Sequence, residues 1–435
     1  MLAINTEEPL IGTETIYKTR SRSLHLWWVS MAAVAILGVW FRAYPSAGFK
    51  GIGFDEGVYR AYVLALDAQG IAGYPDVIDA FLTDQHRDGS TAKLPPLRFA
   101  FILCGWLWKR AEFGAAPPLD VTQEDNVARD PALVSLHRVA CVSSIVFMLL
   151  SGFIAFRMFG RTVALGLLTL IACAPLQLHM AQHALMDGFF ALWALLSLWA
   201  LWESMRQPNH SGWLLLYGTA LTLTVVTKEN ALFVWVALVG LMFVNRWAKF
   251  GEVTPKLCTM TVVAPLIGVV GLVIIAGGLP KFIEVYTLLA TKFHNHEYAI
   301  RTASGPWHRY LIDELVISPF IFCLAIGGFF TLGRERREYL FLTCFLLFTY
   351  AMMCSLRHGM NLRFATIWDF PIRTLAFGQL LWVTRDLGKH RRLIVAISLV
   401  LVSAYGLLQY WRFFVDNALF VTPSESLLRA VEMVK

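Results

Sequence analysis

Residues 136–156 read LHRVACVSSIVFMLLSGFIAF, and their reading decides the fold. Apart from His137 and Arg138 at its start, the run holds only apolar and small side chains. Wound as a helix at about 1.5 Å per residue, it crosses a hydrocarbon layer roughly 30 Å thick. Comparable runs lie near 24–42, 162–179, 187–203, 212–227, 230–247, 257–279, 316–333, 338–355, 364–384 and 393–412. This pattern predicts an all-α polytopic membrane protein of about eleven spans. The composition of the 435 residues agrees, at 57% hydrophobic and 15% charged, with a mean hydropathy of +0.58. Soluble chains carry about 25% charged residues. A membrane β-barrel would show short alternating segments, and none is visible. Disorder, collagen and a disulfide scaffold are excluded by the same figures.

One stretch, Leu97–Trp108, decides the count. It is too short to span and contains Arg98, so it is expected to lie along the interface. With it outside the count and the N-terminus inside, the inner segments hold Lys18, Arg20 and Arg22, then Arg157 and Arg161, Arg206, and Arg246, Lys249 and Lys256. Arg334, Arg336 and Arg337 follow, and Arg385, Lys389, Arg391 and Arg392 complete the set. Counting 97–108 as a span would move Arg157 and Arg161 outside and break the excess of inner cations. The expected organisation is a cytoplasmic tail (1–23), a membrane domain (24–412) and a short outer tail (413–435). Two outer loops, 43–135 and 280–315, bear juxtamembrane helices. The first apolar run follows three cations and reads as an uncleaved span. The net charge of +7 sets orientation and does not point to nucleic acid. The seven cysteines form no CxxC pair and read as free thiols.

The chemistry-bearing residues collect on the outer side. Loop one opens Gly53-Phe-Asp-Glu-Gly-Val-Tyr-Arg60, two adjacent carboxylates at a membrane surface. Asp55 or Glu56 could take a proton from a hydroxyl, or could only cap the following helix. Ala92-Lys-Leu-Pro-Pro-Leu-Arg98 places Lys93 before a proline pair that suits a helix start, a position that favours phosphate. His183 and Asp187 lie in the turn between the third and fourth spans, and Lys228 and Glu229 in the next outer turn. Trp307, His308 and Tyr310 precede a later span, and Arg363 closes the last outer turn. His294, His296 and Glu297 are the weak candidates for a metal. Asp369 and Arg373, four apart on one span, are expected to pair.

These motifs resemble those of the C-type (GT-C) membrane glycosyltransferases, the group of protein O-mannosyltransferases and lipid A aminoarabinose transferases. The resemblance runs over about 24–385. It rests on Asp55-Glu56 with Tyr59, on Lys93-x-Pro-Pro-Leu97, on Arg138, and on Ala184-Leu-x-Asp187. Thr227-Lys228, Gly305-Pro-Trp307 and Arg363-Phe364 complete it. It implies a GT-C-like bundle that moves one sugar from a polyprenyl-phosphate donor to a hydroxyl of a lipid, glycan or protein. By that likeness Asp55, seconded by Glu56, is the base. Lys93, then Arg138, Lys228 and Arg363, would hold the donor phosphate. Tyr59, His183, Asp187, Glu229, Trp307 and His308 would line the substrates. No cofactor and no metal is implied, and a partner protein could help to recognise the acceptor. A bacterial inner membrane with the site facing the periplasm is expected ahead of an endoplasmic reticulum. The sequence departs from the family at Gln182, where an Arg is usual, and at Glu229, where Gly or an aromatic is usual. The rival readings are a transporter of a lipid-linked or anionic substrate and a silent GT-C-like subunit.

Overall fold

The computed structural model describes residues 11–44, 52–87, 93–295, 300, 304–355, 360–417 and 419. The expected metal candidates His296 and Glu297 lie outside the described residues, as does the side chain of His294. Among the described residues every regular element is helical. The first span is the C-terminal part of α1 (Ile11–Ala43), which begins within the stretch expected as a tail. Loop one folds into α2 (Phe54–Gln69), α3 (Tyr74–His86), α4 (Phe99–Phe113) and a single turn, α5 (Glu124–Val127). The bundle continues with α6 (Pro131–Phe159), α7 (Arg161–Ala172), α8 (Pro175–Gln182), α9 (Asp187–Arg206), α10 (Ser211–Thr227), α11 (Ala231–Ala248) and α12 (Pro255–Ile275). The stretch expected as the second loop supplies α13 (Leu279–Asn295) and α14 (Arg309–Ile317), and the chain continues through α15 (Pro319–Glu335), α16 (Arg337–Cys354), α17 (Asp369–Val383) and α18 (Arg391–Tyr410).

A helix occupies each of the eleven expected runs. Seven of them are long and apolar enough to cross a membrane, or eight if α7 and α8 are one broken span. α10 and α15 are shorter apolar helices, and α17 carries Asp369 and Arg373 in its first turns. The protein is therefore a multi-pass membrane protein.

The third run was expected as one helix and is bent by 54° between α7 and α8. Pro175 explains the break: it has no N–H to give to the Ile171 carbonyl and keeps Ala174 extended, at φ −70° and ψ 117°. The Ala174 N–H reaches the Ile171 carbonyl at 3.2 Å, and Arg42, only 1% exposed within the first span, adds a shorter bond. Its guanidinium donates to the carbonyls of Ile171 (2.8 Å) and Ala172 (3.2 Å) and to Ser144 Oγ (2.9 Å).

Two apolar cores result. One runs through the bundle around Phe147, Leu167, Trp202, Phe345 and Phe377. The other joins loop one to the starts of α6 and α9 and the end of α12 around Val63, Ile78, Phe101, Leu136 and Phe189. Close packing of α4 on α6 needs Gly105, where a Cβ would sit 2.5 Å from the Leu136 side chain. The candidate site lies where the two cores meet.

Candidate active site

The stretch 53–60 forms the start of α2, and its two carboxylates separate in role. Asp55, in the first turn, keeps its side chain 17% exposed. Glu56 is 3% exposed and sits in the position that turns back on the helix start. Its Oε2 accepts the Gly53 N–H at 2.8 Å. Its Oε1 accepts the Ala184 N–H at 2.8 Å and meets His137 Nε2 at 3.1 Å and His183 Nδ1 at 3.2 Å. Burial alone would raise its pKa, but the two imidazoles outweigh that and hold the carboxyl well below the usual range. For His183, burial outweighs Glu56 and pulls its pKa down. Glu56 thus bolts α2 to α6 and to the turn between α8 and α9.

Asp55 faces the other way. Arg363 Nη2, from a 3₁₀ helix over Leu362–Trp368, donates to Asp55 Oδ2 at 2.9 Å. Two further ion pairs stand beside this one. Lys228, buried in the turn after α10, pairs with Asp187 at the head of α9 and lies 3.8 Å above the Phe364 ring. Arg98, at the head of α4, pairs through both its Nε and Nη2 with Glu229 and donates from Nη1 to the Tyr59 hydroxyl at 2.6 Å. The pairs form one cluster. Lys228, Arg363 and Arg98 all act electrostatically on Asp187, and Arg98, Asp55 and Asp187 act on Tyr59. Burial would discharge Arg98, but Glu229 and Tyr59 outweigh it and keep the guanidinium firmly charged. Three cations therefore face three carboxylates around the starts of α2, α4 and α9 and the end of α10.

Of the expected residues, the fold brings together Asp55, Glu56, Tyr59, His183, Asp187, Lys228, Glu229 and Arg363. Others stand elsewhere. The expected helix start after Pro95–Pro96 is instead at Phe99. The segment before it is pinned by Tyr62 to the Leu94 carbonyl (2.7 Å) and by Tyr74 to the Pro96 carbonyl (2.8 Å). Lys93 consequently does not sit at a helix head. It pairs with Asp84 at 2.8 Å, its side chain 42% exposed. Arg138 pairs with Glu112 at 2.7 Å on an open surface. Trp307 is 63% exposed, and its carbonyl accepts the Tyr350 hydroxyl at 2.8 Å. His308 precedes α14. Asp369 and Arg373 do pair, buried within α17, with Gln177 donating to Asp369 at 2.8 Å. Among the described residues no group of three or more His, Cys, Asp or Glu is arranged to hold a metal ion.

Two contributors escaped the sequence reading. Arg98 ends the Lys93–Arg98 motif, but it is Tyr59 and Glu229, arriving from α2 and from the turn after α10, that hold its guanidinium in the site. His137 lay beside Arg138 without any local signal, since its partner is 81 positions away.

Residues 99–288 match the family described as dolichyl-phosphate-mannose-protein mannosyltransferase. The sequence matches none of the curated proteins. Among solved structures, the chain is similar to ArnT from Cupriavidus metallidurans in the apo state, with a TM-score of 0.53 and 17% identity over 92% of this chain and 68% of that one. The same protein bound to undecaprenyl phosphate gives 0.51 and 17%, over 88% and 75% of the two chains. The oligosaccharyltransferase of Archaeoglobus fulgidus in the apo form gives 0.56 and 12%, over 88% and 56%. This chain thus spans little more than half the length of the archaeal protein. The likeness is one of architecture: the chain has the fold of the GT-C glycosyltransferases that its motifs resemble.

Proposed function

We propose that the protein is a membrane glycosyltransferase that moves one sugar from a polyprenyl-phosphate donor to the hydroxyl of a lipid, glycan or protein acceptor. The observation that carries this reading is the cluster of three buried cations beside a partly exposed carboxylate, Asp55. Leaving phosphate needs positive charge held in place where its own charge develops. The attacking hydroxyl needs a base on the opposite side of the anomeric carbon, which gives inversion in a single displacement. Asp55 is the base, because Glu56 is spent on four hydrogen-bond partners. Arg363, Lys228 and Arg98 hold the donor phosphate, with Lys93 and Arg138 as outer contacts for the arriving head group. Tyr59, His183, Asp187 and Glu229 shape the sugar pocket, and Trp307 and His308 stand on the acceptor side. The family match and the undecaprenyl phosphate bound by ArnT support a lipid-linked donor. We place the protein in a bacterial inner membrane with the site on the periplasmic face.

The test is transfer from a polyprenyl-phosphate sugar in proteoliposomes. Asp55→Asn keeps size and hydrogen bonding but removes basicity, so transfer falls by about 10²–10⁴-fold with the fold intact. A near wild-type rate in that variant would make Asp187 the next candidate base.

A further inference from the structure

Beside Glu56, which is held apart by its own partners, six charged side chains of the cluster are mutually paired and sum to zero: Arg98 with Glu229, Lys228 with Asp187, Arg363 with Asp55. An incoming phosphodiester carries one negative charge and must displace a carboxylate from its cation. The three pairs differ in how firmly they are made. Arg98 is doubly bonded to Glu229 and also bound to Tyr59. Lys228 and Asp187 are the most deeply buried, at 2% and 6% side-chain exposure. Arg363 and Asp55 share a single hydrogen bond, 2.9 Å long, between Nη2 and Oδ2. A two-pronged guanidinium prefers the forked oxygens of a phosphate to one carboxylate oxygen.

We propose that the donor binds by carboxylate exchange: its phosphate takes Arg363 from Asp55, and this release makes Asp55 available as the base. The inference rests on the reading of Asp55 and Arg363 given above. With the donor seated, the acceptor oxygen attacks the anomeric carbon with a lone pair and its proton passes to Asp55. The carbon–oxygen bond to phosphate breaks with its electron pair, so the diester monoanion leaves as a monoester dianion on Arg363. Asp55 then releases its proton to water, and departure of the polyprenyl phosphate lets the carboxylate return to Arg363. Without donor the base stays latched to a cation.

The experiment is calorimetric binding of farnesyl phosphate, a short prenyl monophosphate, to the detergent-solubilised full chain, with farnesol as the control lacking phosphate. Exchange predicts that Asp55→Asn, which removes the competing carboxylate, tightens farnesyl phosphate binding by about tenfold. Arg363→Gln weakens it, and in the Asp55→Asn/Arg363→Gln double variant the gain disappears. An equal gain with and without Arg363 would be general charge removal and would overturn the proposal, as would unchanged or weaker binding by Asp55→Asn. Should Arg363→Gln fail to fold, Asp79→Asn supplies the comparison: an exposed acid on α3, paired with Lys281 at 2.6 Å. Exchange then requires the Asp55→Asn gain to exceed the Asp79→Asn gain clearly. The transfer assay separates the two ideas. Asp55→Asn that binds more tightly yet still transfers sinks the base and spares the exchange, whereas lost transfer with unchanged binding does the reverse.

Discussion

The backbone N–H of Ala184 donates to Glu56 Oε1 at 2.8 Å, joining the start of α2 to the turn before α9 across 128 positions. The contact makes the acidic pair asymmetric: Glu56 holds the helix, and Asp55 is the carboxylate proposed as the base.

Glu56→Gln is therefore expected to act on stability first. An amide offers one acceptor oxygen to a site built for a charged group, and each charge-assisted hydrogen bond contributes about 1.5–3 kcal/mol. The variant should melt well below wild type at pH 7, whereas Asp55→Asn should not. Because the folded pKa of Glu56 is depressed, its stabilisation is complete above the ordinary glutamate value of 4.5, begins to fall below it and is lost only as pH drops through the lower folded value. Thermal unfolding in detergent at pH 7 and pH 4 checks both points: the gap between the two proteins should narrow in acid. Equal melting at both pH values would remove the bolt.

A second expectation separates the cations. Lys93 is exposed and already paired with Asp84, so Lys93→Ala should weaken polyprenyl phosphate binding by less than about fivefold. Arg363→Gln should weaken it by roughly 10-fold or more, the worth of one charge-assisted contact. The reverse order in a binding titration would restore Lys93 as the main phosphate contact.

Much of this was legible in the sequence, for a physical reason. A hydrocarbon layer demands long apolar helices, so the spans announce themselves one by one. The short polar turns between them can lie only at membrane ends, which put Asp55, Asp187, Lys228 and Arg363 on one side before any contact was seen. What stayed hidden depends on long-range pairing. Nothing local says that Arg98 rather than Lys93 reaches the site. That follows from Tyr62 and Tyr74 pinning the segment, so that the helix starts at Phe99. Nothing local marks Arg42 as the partner of carbonyls on α7, although Pro175 leaves Ile171 without its helical donor. The separate duties of Asp55 and Glu56 depend on where His137, His183 and Arg363 arrive.

Glu314 gives a prediction away from the site. It lies on α14, 7% exposed, where burial and the nearby charge of Asp369 outweigh Arg373 and push its pKa up to about 8. The folded state therefore favours the protonated acid. That stabilisation is complete below the ordinary value of 4.5 and is lost as pH rises through about 8. The wild-type melting temperature should drop, by on the order of 5 °C, between pH 5 and pH 9. Glu314→Gln, neutral throughout, should flatten that dependence. Parallel curves for the two proteins would show that Glu314 does not titrate in this window.

The last prediction fixes the side of the membrane. The contacts sort the charged ends of the helices into two groups. At one end Trp27 Nε1 donates to the Arg161 carbonyl at 3.0 Å, Arg157 pairs with Glu203 at 2.9 Å, and Arg336 donates to the Met158 carbonyl at 3.2 Å. At the opposite ends of α6 and α9 stand His137, Arg138 and Asp187. The first group carries the cations that the positive-inside rule assigns to the cytoplasm. In a background with the seven native cysteines replaced, a membrane-impermeant maleimide applied to intact cells should label Arg138→Cys, whose wild-type side chain is 48% exposed. It should reach Arg161→Cys only after permeabilisation. Ready labelling of Arg161→Cys from outside, with Arg138→Cys protected, would invert the protein and turn the site toward the cytoplasm, where a different lipid leaflet would have to supply the donor.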